Sequence, residues 1–222
     1  MKKPNLIAFW LVLLAICAST LPSDAQQPER QRQRQRRQAP AGKEAPHPPK
    51  VGDEAPAFEL PKLNAEKKAD DKTTGDDALP TVTLEQINND GPVVLLVLRG
   101  WPGYQCPICS RQVGQFLSRS EQLAKQGVQL VLVYPGPADL LAEHAREFQG
   151  DRSFPAGVHY LIDPDYAFTN AWGLRWEAPR ETAYASTFII GKDGLIKFGN
   201  TSTTHGDRVD VETVLEELAG ME

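Results

Sequence analysis

Two cysteines three positions apart, Cys106 and Cys109, stand where the hydropathy pattern of the chain changes. Upstream, Val93 to Leu98 is an unbroken apolar run rich in β-branched residues, the pattern of a strand buried on both faces of a parallel or mixed sheet. Downstream, Cys109, Val113, Phe116, Leu117, Leu123 and Ala124 share one stripe at helical spacing. This predicts a helix from about Pro107 to Lys125, stopped at Gly127. Proline is favoured at the first helical position because its missing N–H would be unpaired there anyway, so Pro107 puts Cys106 at the N-cap. The unpaired N–H groups and the positive end of the helix dipole stabilise a thiolate at that point. In Cys-x-x-Cys pairs the thiol pKa falls from about 8.5 into roughly the 3.5–7.5 range. The expected arrangement is an exposed Cys106 thiol above a shielded Cys109, able to cycle between dithiol and disulfide.

A purely structural clip fits this pair poorly, because on the chain-entropy model so short a loop gives little stabilisation. A zinc site would need further Cys or His ligands at short spacing, and none is present. His47, His144 and His159 show no mutual spacing that suggests ligands, so neither a metal nor a cofactor is expected.

The start of the chain reads as an export signal. Lys2 and Lys3 precede an apolar run from Leu6 to about Leu21, followed by the small-residue pattern Ser23-Asp24-Ala25. Cleavage is expected after Ala25, since the run is shorter than the roughly 20 residues a spanning helix needs. Cys17 follows Ile16 rather than a small residue, which argues against lipid attachment. The mature protein, periplasmic or extracellular, then keeps only Cys106 and Cys109.

Gln26 to Lys50 contains Gln31-Arg32-Gln33-Arg34-Gln35-Arg36-Arg37 and then stretches of Pro, Ala and Lys. It has no apolar periodicity and is expected to be a disordered tether. It carries seven Lys/Arg against two acids (+5), whereas residues 51–222 carry 15 against 26 (−11). A weak surface contact through this basic arm fits an exported protein; nucleic acid does not.

From residue 51 onward a single domain is expected. Phe58 and Leu60 mark a short strand, residues 64–80 a long polar surface loop, Thr81 to Leu84 a second strand and Leu84 to Ile87 a helical turn. After the cysteine helix come a buried strand, Val128 to Tyr134, ended by Pro135-Gly136-Pro137, and a helix over Ala138 to Phe148. A strand over Val158 to Ile162 and a helix over Tyr166 to Trp172 follow. Ser186 to Ile190, the Asp193-Gly194 turn and Leu195 to Phe198 form a hairpin, and Val209 to Leu218 a last helix. Such alternation describes an α/β fold with a central mixed sheet covered on both faces.

The opening Val51-Gly52-Asp53-Glu54-Ala55-Pro56-Ala57-Phe58, the apolar strand before Cys106-Pro107-Ile108-Cys109, the helix after it and Thr187-Phe188-Ile189-Ile190 before a Lys-Asp-Gly turn together carry a resemblance. The chain from Val51 to its end resembles the thioredoxin fold, specifically the peroxiredoxin-like redoxin branch related to alkyl hydroperoxide reductase and thiol-specific antioxidant proteins. The resemblance implies a thiol peroxidase or disulfide oxidoreductase. Its substrate would be a hydroperoxide or a protein disulfide, and a thiol donor would supply the electrons.

Two departures follow from the same comparison. Peroxiredoxins carry Pro-x-x-x-Thr-x-x-Cys around the attacking cysteine. Here Pro102 and Cys109 match while Cys106 takes the threonine position, so the pattern nominates Cys109 and the N-cap argument nominates Cys106. Just before Thr187, where peroxiredoxins often place an arginine and thioredoxins a cis-proline, stands Ala185. Arg99, Arg175, Arg180 or Arg208 would then have to supply the charge. Trp101, Pro102 and Tyr104 are expected to line the site with Arg99 and Arg208, and His205-Gly206-Asp207-Arg208 is a polar cluster before the last helix. Two other classes compete. One is a copper chaperone resembling the Sco type, with two thiolates suited to Cu(I) and a distant His159 or His205, although that family spaces its cysteines by three residues. The other is a redox-inactive binding module.

Overall fold

Hydrogen bonding sorts the predicted strands into one five-stranded sheet and one two-stranded ribbon. The structure is a computed structural model and describes residues 47–64, 79–103 and 105–221. The expected signal peptide, nearly all of the tether, residues 65–78 of the polar loop and Tyr104 lie outside the described residues. In chain order the elements are β1 (Glu59–Pro61), β2 (Thr81–Thr83), α1 (Leu84–Asp90), β3 (Val93–Val97), α2 (Pro107–Ser118), α3 (Ser120–Lys125) and β4 (Gln129–Gly136). Then follow α4 (Leu141–Gln149), β5 (Val158–Pro164), α5 (Ala167–Ala171), β6 (Ser186–Ile190), β7 (Ile196–Thr201) and α6 (Val211–Ala219).

The sheet order is β5-β4-β3-β6-β7, with β3 parallel to β4 and antiparallel to β6. β3 is central and every one of its residues is buried, which is why its sequence is apolar without alternation. Val94, Leu96 and Leu98 enter one core with Cys109, Val113 and Phe116 of α2, Ala145 and Phe148 of α4 and Val214 of α6. Val93, Leu95 and Val97 enter the opposite core with Ile87 of α1, Phe168 of α5 and Trp172. The expected mixed sheet covered on both faces is the observed one. β1 and β2 pair as an antiparallel ribbon, tied to the β5 edge by the Leu63 N–H to the Tyr160 carbonyl at 2.8 Å.

Several expected boundaries move, and three of the shifts have a clear local reason. The helix predicted from Pro107 to Lys125 is broken at Arg119 (φ −108°, ψ 6°). On either side of the break, Ser118 and Ser120 donate their hydroxyls to the Gln115 and Leu117 carbonyls, a local alternative to the helical ladder. The apolar stripe therefore does not continue in phase: Leu123 is buried, Leu117 half-buried and Ala124 exposed.

β4 runs on through Pro135 and Gly136, which pair with Asp163 and Pro164 instead of ending the strand. The Gln129 N–H bonds toward β3 and the Leu130 N–H toward β5, so the missing N–H of Pro135 faces the β3 side, where β3 has already ended. The short turn expected at Leu84 is a seven-residue helix because Thr83 and Gln86 form a capping box. The Thr83 Oγ1 accepts the Gln86 N–H at 3.1 Å, and the Gln86 Oε1 accepts the Thr83 N–H at 2.9 Å.

Candidate active site

The C-terminal end of β3 hands over to α2 through Arg99 to Gln105, and the cysteine pair opens the helix. Cys106 is the N-cap (φ −80°, ψ 111°) with Pro107 at the first helical position, as the sequence predicts. Its Sγ accepts the Cys109 backbone N–H at 3.3 Å, taking the role that a serine or threonine oxygen usually fills. Cys109 lies one turn below, fully buried, and its Sγ accepts the Arg99 N–H at 3.5 Å. Both cysteines are free thiols.

The expectation of an exposed Cys106 is corrected: only 5% of it is accessible. Two neighbouring segments cover it. The 177–181 segment lies on the loop before α2, with the Arg180 carbonyl 2.7 Å from where a Cβ on Gly103 would stand. The end of α4 is drawn to the first turn of α2 by Arg152, which donates to the Ser110 Oγ and to the Phe148 carbonyl. Between these walls Cys106 borders two cavities. One, of about 620 Å³, is bounded by Phe148, Asp151 and Arg152; the other, of about 210 Å³, by Arg99, Arg180 and Glu181.

The environment separates the two thiols chemically. The Cys106 pKa is lowered to about 5. The largest cause is the hydrogen bond from the Cys109 thiol; the Cys109 N–H and the charges of Arg208 and Arg99 add to it and outweigh burial. Cys109 moves the other way, raised by giving that hydrogen bond, by burial and by the adjacent Cys106 charge. A thiolate above a protonated thiol is the resulting ground state.

Two residues that position the pair, Gln105 and Gln112, carry little signal in the sequence. Gln105 accepts the Tyr134 hydroxyl at 2.8 Å and donates to the His144 carbonyl at 2.9 Å, fixing the residue before Cys106. Gln112 is buried in α2 and donates to the Val209 carbonyl at 2.9 Å, linking the cysteine helix to the chain entering α6. Its one visible hint is that it sits beside Val113 on the buried side of the helix.

The expected lining residues divide. Arg99 reaches the site, with its guanidinium on Glu181 through Nη2 at 2.5 Å and Nε at 3.1 Å. Arg208 donates through Nε to the His205 carbonyl at 3.2 Å. Its two terminal nitrogens are buried without a hydrogen-bond partner among the described residues, and its charge acts on both sulfurs. His205 is tied to the same cluster through Glu181 Oε1 at 3.1 Å. Arg175 is held away by the Trp176 carbonyl at 2.7 Å and by the Tyr166 ring. Trp101 packs on the His144 ring at 4.0 Å and is absent from both cavity walls, as is Pro102, which follows a cis peptide bond. Ala185 is buried, and its carbonyl accepts the Ser202 N–H. Among the described residues no three His, Cys, Asp or Glu side chains gather around a common point.

The redoxin family model matches residues 50–215. No curated protein sequence matches the chain. Among solved structures, the chain is similar to peroxidoxin BcpB from Mycobacterium tuberculosis at 19% identity and TM-score 0.57, over 78% of this chain and 99% of that one. It is similar to AhpC from the same organism at 19% identity and TM-score 0.59, over 78% and 93%. A 2-Cys peroxiredoxin from Plasmodium vivax aligns at 14% identity and TM-score 0.57, over 77% and 81%. With a family match spanning most of its length and the fold to accompany it, the chain belongs to the redoxin family and is a peroxiredoxin-like thiol enzyme of the thioredoxin fold.

Proposed function

We propose that the protein is an exported thiol peroxidase in which Cys106 attacks the hydroperoxide and Cys109 resolves the product. The observation that carries this reading is the placement of Cys106 Sγ at the helix N-cap, accepting the Cys109 N–H and bordering two cavities. The Cys106 thiolate displaces alkoxide from the outer peroxide oxygen: an S–O bond forms, the O–O bond breaks, and the alkoxide takes a proton from solvent. The sulfenic acid so formed is attacked by Cys109, which loses its proton as hydroxide leaves, giving the Cys106–Cys109 disulfide and water. A hydroperoxide is thereby reduced by two electrons to an alcohol and water, and an external thiol donor must return both electrons. With only 5% of Cys106 accessible, a small hydroperoxide suits the site better than a bulky protein disulfide.

Stopped-flow oxidation of the reduced protein by hydrogen peroxide, followed by mass spectrometry, tests the assignment. Cys109→Ser is expected to be oxidised as fast as the native protein and to stop at a sulfenic acid on Cys106, whereas Cys106→Ser is expected to lose rapid oxidation. A sulfenic acid accumulating on Cys109 of Cys106→Ser at undiminished rate overturns the assignment. Export rests on the Lys2-Lys3, Leu6 to Leu21 and Ala25 pattern, and N-terminal sequencing of the protein from its host is expected to begin at Gln26.

A further inference from the structure

The two cavities beside Cys106 differ in charge. The larger is bounded by Glu147, Asp151 and Arg152, and Arg152 is engaged by the Phe148 and Gln149 carbonyls and the Ser110 hydroxyl. Its two carboxylates disfavour an anion. In the smaller cavity Arg99 and Glu181 neutralise each other. Among the described residues Arg180, on the same wall, makes no ion pair, and its one hydrogen bond is a long one, from Nη2 to the Gly103 carbonyl at 3.3 Å. The backbone that presents it is held firmly, for Arg180 has φ +66° and the next two carbonyls, of Glu181 and Thr182, both accept Arg175 Nη1.

We propose that the smaller cavity selects short hydroperoxides that carry a carboxylate, with Arg180 as the residue that determines this preference. The proposal rests on the peroxidase reading above. A guanidinium presents a planar fork that pairs with a carboxylate through two hydrogen bonds. Arg180 and Cys106 border one cavity of about 210 Å³, equal to roughly seven waters at about 30 Å³ each. That volume has room for a peroxide group and a few carbons between the two residues. The bound carboxylate keeps the outer peroxide oxygen toward Cys106, and the products are the corresponding hydroxy-carboxylate and the oxidised cysteine.

Oxidation rates of the reduced full chain with 2-hydroperoxy-2-methylpropanoate, its uncharged methyl ester and hydrogen peroxide test the proposal. The acid is expected to react roughly tenfold faster than its ester, the order of one charge-assisted contact at a partly exposed site. Raising ionic strength from about 50 to about 500 mM is expected to shrink that ratio. Arg180→Gln is expected to bring the acid-to-ester rate ratio close to one, and Arg180→Lys to restore much of it. Equal rates for acid and ester in the native protein, or equal slowing of all three oxidants in Arg180→Gln, overturn the preference while the peroxidase reading stands. Failure of hydrogen peroxide itself to oxidise Cys106 overturns both.

Discussion

Cys106 and Cys109 are the same residue type three positions apart, yet their protons are held very differently. The N-cap position leaves one sulfur accepting hydrogen bonds and the other giving one. With the Cys106 pKa at about 5, the thiolate is the dominant form above that pH and is lost as pH falls through it. The oxidation rate constant is therefore expected to be level above about pH 6 and to drop to about a tenth of that level by about pH 4. The causes rank the effects of substitution. Cys109→Ala removes the largest stabilising contact and is expected to move the midpoint of the pH profile upward the most. Arg208→Met removes a smaller, through-space contribution and is expected to move it upward by less. A pH series of stopped-flow rates on the two variants checks the order, and an unmoved midpoint in Cys109→Ala would refute the hydrogen-bond account.

The link between β3 and α2 depends on close backbone approach. Gly100 has φ +62°, and a Cβ there would stand 2.0 Å from the Pro135 carbonyl oxygen of β4. Gly100→Ala adds both the steric clash and an unfavourable backbone region, so it is expected to cost more than about 3 kcal/mol, seen as a lowered denaturant midpoint. Oxidation by peroxide is expected to slow as well, since the displaced loop carries Arg99, whose N–H bonds to Cys109. The break at Arg119 has the opposite character. It lies at the far end of α2 from the cysteines, where the two serine hydroxyls compete for carbonyls, and it leaves the first turn untouched.

Across the whole molecule the sheet divides the interior into two cores, and the chemistry belongs to one of them. Phe116 lies in the core that holds both cysteines, while Trp172 lies in the opposite core; both are fully buried. Truncation of either to alanine is expected to cost about 3–5 kcal/mol. Measured well below the unfolding transition, Trp172→Ala is expected to keep the native rate of Cys106 oxidation and Phe116→Ala to lose part of it. Equal losses would mean that the sheet transmits repacking to α2 from both sides.

Periodicity and local chemistry were sufficient for the strand and helix order, the burial of β3, the N-cap position of Cys106 and the shielding of Cys109. Each of these depends on residues close together in the chain, on the apolar stripe, and on a proline that suits only the first turn. The same reasoning placed an exposed thiol where the folded protein has a nearly buried one, because the covering groups come from 40 to 75 positions away in α4 and the 177–181 segment. Long-range contact also chose among the arginines. Arg99 is brought to Glu181 and Arg208 toward the sulfurs, while Arg175 is spent on carbonyls and the Tyr166 ring. Gln105 and Gln112 read as ordinary polar residues until their partners, Tyr134, His144 and Val209, are set beside them. A hydrogen bond between residues far apart in sequence leaves no periodic trace, so folding alone assembled the groups that tune the thiol.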